Sequence, residues 1–269
     1  MIALALPTAA EGEGFHAPQI SDLHLPDILP WGAEYGTGFG KQMLLVVLSV
    51  VIISWFLVAA ARKRQMVPGK FQFLGEWTYS FVRNSVGRDM LGEREFKKYT
   101  PLLTALFMFV LVNNLFGSIP FLQLPTTSHV GTAYALAGIV YVYWIFLGFK
   151  THGIGYFKAA LVPSGVPAPF LIMVIPIEFV STFLVRPMTH SLRLFATMLS
   201  GHMIIALTAA AMSYMFTSLG QWWGYPLGSL VFIGGLAMFL FEIFIQVLQA
   251  YVFTLLTAVY IQSSISEAH

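Results

Sequence analysis

Cysteine is absent from this 269-residue chain, and charged residues make up only 10% of it. Without cysteine the protein can form no disulfide, no thiol nucleophile and no cysteine-ligated metal site. A soluble domain usually carries about 25% charged residues, so an ordinary soluble domain is excluded. The sequence also lacks HExxH, GxSxG, GxGxxG and P-loop motifs, and its histidines do not have metal-ligand spacing. We therefore predict no metal site, no cofactor and no nucleic-acid partner.

Long apolar runs dominate the chain instead, since hydrophobic residues account for 57% of it. Several runs reach the length of about 20 residues that crosses a bilayer. We predict an all-α integral membrane protein with five transmembrane helices and one interfacial amphipathic helix, forming a single membrane domain over 1–269. Its predicted segments are an external N-terminal segment at 1–37, helices at 40–61, 98–117 and 130–149, an interfacial helix at 70–90, and long helices at 168–216 and 226–263.

Basic residues concentrate in one stretch, because residues 62–98 hold nine of the 14 Lys and Arg residues. The positive-inside rule places this stretch in the cytoplasm, and five crossings then put the N-terminus outside and the C-terminus inside. Within the stretch, residues 70–90 space large apolar side chains at helical intervals among polar ones. This pattern favours an amphipathic helix in the membrane interface, with a solvated loop as the alternative. A Gly/Pro-rich connector at 151–169 is predicted at the inner surface.

The two C-terminal apolar segments are longer than an upright span. At 1.5 Å per residue, nearly 50 residues extend roughly 70 Å, whereas the hydrocarbon core is about 30 Å thick. Re-entrant turns would need polar residues that these segments lack. We therefore predict two strongly tilted helices that form an oblique hairpin.

Arg193 lies near the middle of the first long segment. After Lys158, the only Lys or Arg residues are Arg186 and Arg193. A guanidinium at mid-membrane depth costs about 2.5–3.5 kcal/mol on insertion scales, and arginine cannot escape that cost by losing its proton. A charge in this position predicts a functional site and requires a partner.

Other polar residues accompany Arg193 in the two long segments. Helical spacing groups several of them on shared faces. The groups are Glu178 with Ser181, Thr182 and Arg186; Arg193 with Thr197 and Ser200; and Glu242 with Gln246 and Gln249. His190 and His202 lie in the same segment as Arg193. Each residue has a structural alternative: an ion pair, an interhelical hydrogen bond or a satisfied interior histidine. Their combination in two adjacent helices favours an ion pathway. Histidine and glutamate suit proton transfer, because both can exchange protons near neutral pH.

Two further features of the sequence are the segments SLRLFATMLSGH at 191–202 and LQAYVFTLLTAVYI at 248–261. They closely resemble the signature segments of subunit a of F-type ATP synthases, the proton-channel stator subunit. The resemblance extends to VPGKFQ, NNLFGSIP, HGIG and SEAH. It implies a non-catalytic, multi-pass protein of the bacterial plasma membrane that translocates protons. The implied partners are the c-subunit ring, which the long hairpin would face, the peripheral-stalk b subunits, with the delta subunit as a further candidate, and membrane lipids.

The resemblance also implies roles for individual residues. The family's essential arginine corresponds to Arg193, which would interact with c-ring carboxylates and separate two offset half-channels, so that the proton-motive force is coupled to ATP synthesis. His202 and Glu242 match positions where the family carries His or Glu. Gln249 matches the signature glutamine, which is expected near Arg193. Glu178 completes the proposed proton-translocating set.

Two residues depart from the family pattern. Thr197 stands where many bacterial members have asparagine, and Glu178 lies one residue farther from Pro187 than the family's upstream acid. The supporting polar candidates are Thr197, Ser200, Gln246, Arg186 and His190.

Two other classes of protein remain as alternatives. An independent ion channel or secondary transporter would work without a ring, but it commonly shows inverted repeats, and none is evident in the sequence. An intramembrane enzyme would need a catalytic dyad or metal cluster, which the His and acidic residues do not present clearly.

Overall fold

The computed structural model describes residues 41–62, 68–119, 130–153, 155–162, 168–217, 222 and 224–266. Several predictions concern residues outside these ranges: the external segment at 1–37, the basic residues Lys63 and Arg64, parts of the 151–169 connector, and residues 267–269 of the SEAH motif.

All regular elements in the described ranges are helical. They are α1 (Lys41–Arg62), α2 (Lys70–Val82), α3 (Asp89–Ser118), α4 (Val130–His152), α5 (Gly155–Leu161), α6 (Ala168–Phe179), α7 (Arg186–Thr217) and α8 (Gly224–Ser266), with π-helical segments at Arg83–Arg88 and Val180–Val185. Five stretches of the described chain are helices long and apolar enough to cross a membrane. The prediction of an all-α membrane protein with five spans is therefore confirmed.

The segment predicted as an interfacial helix corresponds to α2 and the π-helical turn that follows it. Phe71 and Trp77 of α2 are exposed, whereas Val82 is fully buried, so the helix has an outer and an inner face. Helical geometry is interrupted at Gly92, where φ is 71°. Glycine suits this conformation because it has no Cβ to clash at positive φ. The location of α2 in the membrane interface stays a prediction.

The first long segment is one helical stretch made of α6, a π-helical segment and α7. Pro187 has no N–H and cannot donate to the carbonyl of Phe183, as a regular helix would require. The turn before it widens, and the N–H of Arg186 reaches the carbonyl of Ser181. A π-turn of this kind accommodates a local irregularity without ending the helix. No re-entrant loop occurs within the described part of the segment; its strong tilt stays a prediction.

A short helix, α5, forms inside the connector, where the sequence pattern indicated only glycine and proline. Tyr156 of α5 is fully buried, and its ring packs against Gly148 of α4. Its centroid lies 5.8 Å from that of Phe149. This aromatic contact fixes the connector to α4, which periodicity alone could not indicate for so short a helix.

The described residues divide into two compact units. In the first, the hairpin unit, the end of α7 from residue 200 and the start of α8 up to residue 242 lie antiparallel. The rings of Phe216 and Tyr225 lie 6.3 Å apart close to where α7 ends and α8 begins, and Thr208 lies against Gly235 farther along. This unit therefore holds two helices against each other through small and aromatic side chains.

The second unit contains the described residues before 200 and after 242. Its hydrophobic core draws fully buried side chains from α2, the first π-helical segment, α3, α7 and α8: Val82, Val86, Leu103, Leu194 and Ile261. The part of α7 before residue 200 and the part of α8 after residue 242 therefore pack in one core with the preceding helices.

Candidate functional site

Arg193 lies on an exposed stripe of α7. Leu192 and Ala196 beside it are exposed, whereas Leu194 and Met198 on the opposite side of the helix are almost completely buried. Within the described residues, no carboxylate lies within ion-pair distance of Arg193. Its positive charge therefore has no counter-charge among the described residues.

Arg186 has the partner that Arg193 lacks. Its guanidinium lies 3.6 Å from Oε1 of Glu178, with side-chain exposures of 29% and 32%. The hydroxyl of Thr182 donates to the same carboxylate oxygen at 3.1 Å. The structural ion pair that the sequence left open is present, and it joins Glu178 to Arg186 and not to Arg193.

The hydroxyl of Thr197 bonds to the backbone of its own helix. It donates to the carbonyl of Arg193 at 2.9 Å and to that of Leu194 at 3.1 Å. Such bonding to a carbonyl three or four residues earlier is common for threonine within a helix. Ser200, the next residue of the predicted stripe, is exposed.

Gln249 and His190 are both buried between helices of the second unit. Gln249 is 4% exposed, and no hydrogen bond joins it to Arg193 in the described structure. His190 stacks on Phe253 with ring centroids 3.9 Å apart and meets Tyr260 edge-on at 5.7 Å. Neither ring nitrogen of His190 has a hydrogen-bond partner in the described chain, so aromatic packing is its main contact.

Gln246 bonds to two residues at the end of α3. The hydroxyl of Ser118 donates to its side-chain Oε1 at 2.7 Å, and the amide of Asn114 donates to its main-chain carbonyl at 3.4 Å. The sequence indicated Gln246 as a supporting polar residue but gave no partner for it. The asparagine-rich motif NNLFGSIP was a signal that could have indicated these contacts.

In the hairpin unit, His202 and Glu242 meet across the two helices. Nε2 of His202 lies 3.9 Å from Oε1 of Glu242, and the two residues are 8% and 5% exposed. The separation is within ion-pair range if the imidazole is protonated, but it is longer than a hydrogen bond. The structure thus brings together two residues of the predicted proton-translocating set.

Gly201 makes this approach possible, and sequence reasoning missed it. A Cβ at this position would lie 2.8 Å from Oε1 of Glu242, closer than carbon and oxygen can pack. Glycine therefore leaves room for the carboxylate against α7. The signal was its place beside His202, because glycine is common where side chains from two membrane helices approach closely.

These features define a multi-pass membrane protein with ionisable residues distributed along two long helices. The family model described as "ATP synthase A chain" matches residues 43–262. The chain belongs to this family, which confirms the resemblance to subunit a.

Individual relatives agree with the family match. The chain is 57% identical over 274 residues to "ATP synthase subunit a" of Pseudarthrobacter chlorophenolicus, with 98% of each chain covered. It is 43% identical to the protein of the same name from Nocardioides sp., with 99% of each chain covered. For Streptomyces lividans the identity is 40%, over 96% of this chain and 91% of the relative. The similarity therefore extends over nearly the full length.

Proposed function

We propose that this chain is the non-catalytic proton-channel subunit of an F-type ATP synthase in a bacterial plasma membrane. It couples the proton-motive force to ATP synthesis at the interface with a rotating ring of c subunits. Membership of the subunit a family supports the proposal. The observation that carries it is Arg193, a membrane-embedded charge on an exposed stripe with no counter-charge among the described residues.

Arg193 acts on carboxylates that the ring brings past it. A nearby guanidinium favours the ionised form of a carboxyl group, so a ring carboxylic acid gives up its proton as it approaches. The fixed charge also separates the two half-channels, because a proton passing directly between them would have to cross a positive potential. Each charge that crosses a membrane potential of 100 mV contributes about 2.3 kcal/mol, which drives rotation in one direction.

His202 and Glu242 belong to the entry half-channel. Both side chains can accept and release protons, and both are buried in the hairpin unit. With 3.9 Å between Nε2 and Oε1, a proton held by one group is stabilised by the other. A proton from outside therefore passes through this pair before it reaches a ring carboxylate.

The remaining polar residues support this path. Gln249 contributes a buried amide on α8, and Glu178 neutralises Arg186, so that Arg193 is the uncompensated cation of α7. His190, Thr197, Ser200 and Gln246 complete the polar lining. The N-terminus lies outside and the C-terminus in the cytoplasm, in accordance with the basic stretch at 62–98.

The partners follow from the same proposal. The exposed stripe of α7 contacts the c-ring, other exposed apolar helix faces contact lipid, and the chain binds the peripheral-stalk b subunits, with delta as a further contact. This arrangement differs from an independent channel or transporter, which would carry ions as a purified chain without a ring.

Cross-linking tests the ring contact directly, because the chain has no native cysteine. A photoactivatable cross-linker on Ala196→Cys, beside Arg193 on the exposed stripe, is expected to capture a c subunit in membranes. Met198→Cys, on the buried side of the same helix, is the matched control and should capture none. Transport by the purified chain alone, together with no ring adduct from Ala196→Cys, would support the independent transporter instead.

A further inference from the structure

The rotation of α8 about its own axis is weakly specified by apolar packing. Phe244 and Leu248 are exposed, whereas Phe253 and Ile261 are buried, so large apolar side chains lie on both its outer and inner faces. Lipid is as apolar as a protein core, and helices in a membrane therefore gain little from burying one apolar face in preference to another. Some polar contact has to select the face that packs inward.

Gln246 makes such a contact with α3. Its side chain accepts a hydrogen bond of 2.7 Å from Ser118, and its main-chain carbonyl accepts one of 3.4 Å from Asn114. The side-chain bond fixes the direction in which this point of α8 faces, and the main-chain bond fixes its height along α3. Gln246 and Asn114 are almost completely buried, so breaking these bonds would leave polar groups in an apolar environment.

The same end of α3 is itself anchored on another side. The amide of Asn113 donates to the hydroxyl of Ser49 on α1 at 3.0 Å and to the carbonyl of Phe109 at 2.8 Å. The neighbouring asparagines 113 and 114 thus bond to two different helices. The donors that hold α8 therefore belong to a helix that is tied to α1 and cannot easily follow a rotation of α8.

We propose that Ser118 and Asn114, with Gln246 as their acceptor, form a rotational lock that determines which face of α8 is buried. Single buried polar residues are well attested as determinants of helix register. The consequence for activity rests on the proposed function. Gln249 lies about one turn beyond Gln246, and the lock keeps Gln249 on the buried face of α8 and Leu248 on the exposed face. Ser118 is thus a positioning residue for proton translocation, although it touches no proton itself.

A distance measurement between spin labels tests the lock in the assembled complex. The chain has no native cysteine, so nitroxides can be placed at Ala105→Cys on α3 and Val247→Cys on α8, both of which are exposed. We expect one narrow distance in the otherwise native protein. Ser118→Ala should add a second distance. The ratio of the native to the second population should fall about threefold, which is the effect of losing one average interhelical hydrogen bond in a membrane.

Three further variants identify the bond responsible. Gln246→Leu should produce the same second distance, and adding Ser118→Ala to it should shift the populations no further, because the bond from Ser118 is already lost. Ser118→Thr keeps a hydroxyl and should restore the single distance. Ser264→Ala is the matched control, since this buried hydroxyl donates to Ile261 of its own helix; its distance and activity should be unchanged.

Proton-driven ATP synthesis provides the functional readout. Ser118→Ala should lower the rate by the fraction of molecules that shows the second distance, with normal amounts of assembled complex. An unchanged distance in both Ser118→Ala and Gln246→Leu would overturn the lock, and a second distance with an unchanged rate would overturn the positioning role. The label measurement does not depend on proton transport, so its result is separate from any failure of the proposed function itself.

Discussion

Arg186 and Arg193 are both arginines of α7, about two turns apart, yet one is paired with a carboxylate and the other is not. Arg186 is half-buried and paired with Glu178 at 3.6 Å. Arg193 is exposed, and no described carboxylate pairs with it. Both carry a permanent charge in an apolar segment, so both face the same cost of leaving water. Among the described residues, only Arg186 has a carboxylate that offsets this cost.

The charge of Arg186 is paired within the fold, whereas the charge of Arg193 is available to a partner. Glu178 stays beside Arg186, so that pair needs nothing from outside. Arg193 is the exception, and under the proposed function its counter-charges are ring carboxylates that arrive and leave. The comparison predicts that variants of the two arginines will differ in the kind of defect as well as its size.

The largest effect is expected for Arg193→Ala. Removing a preorganised charge or donor from a low-dielectric site typically lowers a rate by about 10²-fold or more, so we expect a decrease of roughly 100-fold or more in proton-driven ATP synthesis. The rate should be measured in inverted membrane vesicles, with the amount of assembled complex determined in the same preparation. Near-normal synthesis by Arg193→Ala would show that the unpaired charge is not the functional one.

Arg186→Ala should have a smaller effect of a different kind. It leaves Glu178 without its cation, so the acid has to take up a proton or remain as an uncompensated charge. Because the pair is about one-third exposed, we expect a loss of roughly threefold to tenfold, mainly in the amount of assembled complex. Adding Glu178→Gln should recover part of that loss. If Arg186→Ala matched Arg193→Ala in rate per complex, the distinction between the arginines would be wrong.

Gly201→Ala tests whether the close His202–Glu242 approach matters as a pair. The added methyl would meet Glu242 at 2.8 Å, and overpacking of this kind typically costs about 1–3 kcal/mol. We expect a several-fold slower passive proton flux through the membrane sector, with the complex still assembled. The matched control is Gly138→Ala on α4, where an added Cβ has open space. Equal flux in both variants would remove Gly201 from the site.

The smallest effect is expected at Thr197, close to Arg193. Thr197→Val removes a hydroxyl that bonds to carbonyls of its own helix, and the helix keeps its backbone bonds, so the change in synthesis should be less than about twofold. A large loss in Thr197→Val would mean that the hydroxyl has a further role beside Arg193.

Much of the fold could be predicted because membrane insertion is a local property of sequence. Runs of apolar residues identify the five spans, and the continuous helix through Pro187 follows from the absence of polar turns in its segment. The short helix α5 could not be predicted, since it depends on Tyr156 packing against Gly148. Likewise, spacing predicted that Glu178 and Arg186 share a face, but the ion pair between them is evident only in the structure.

The residues of the candidate site also differ in whether the sequence could predict them. Arg193, His202 and Glu242 were identifiable because ionisable residues are rare and costly in apolar segments. Gly201 and Ser118 were not, because a small residue carries no chemical signal until the side chain that approaches it is known.

The sequence by itself therefore determined the class of the protein, the number of its spans and the position of its unusual charge. These properties depend on the cost of moving each residue from water to lipid, which can be assessed one residue at a time. The tertiary structure decided which charges are paired, which stay exposed and how α8 is oriented against α3. Those outcomes depend on contacts between particular side chains, such as 3.6 Å between Arg186 and Glu178 and 2.7 Å between Ser118 and Gln246, and a cost assessed one residue at a time does not contain them.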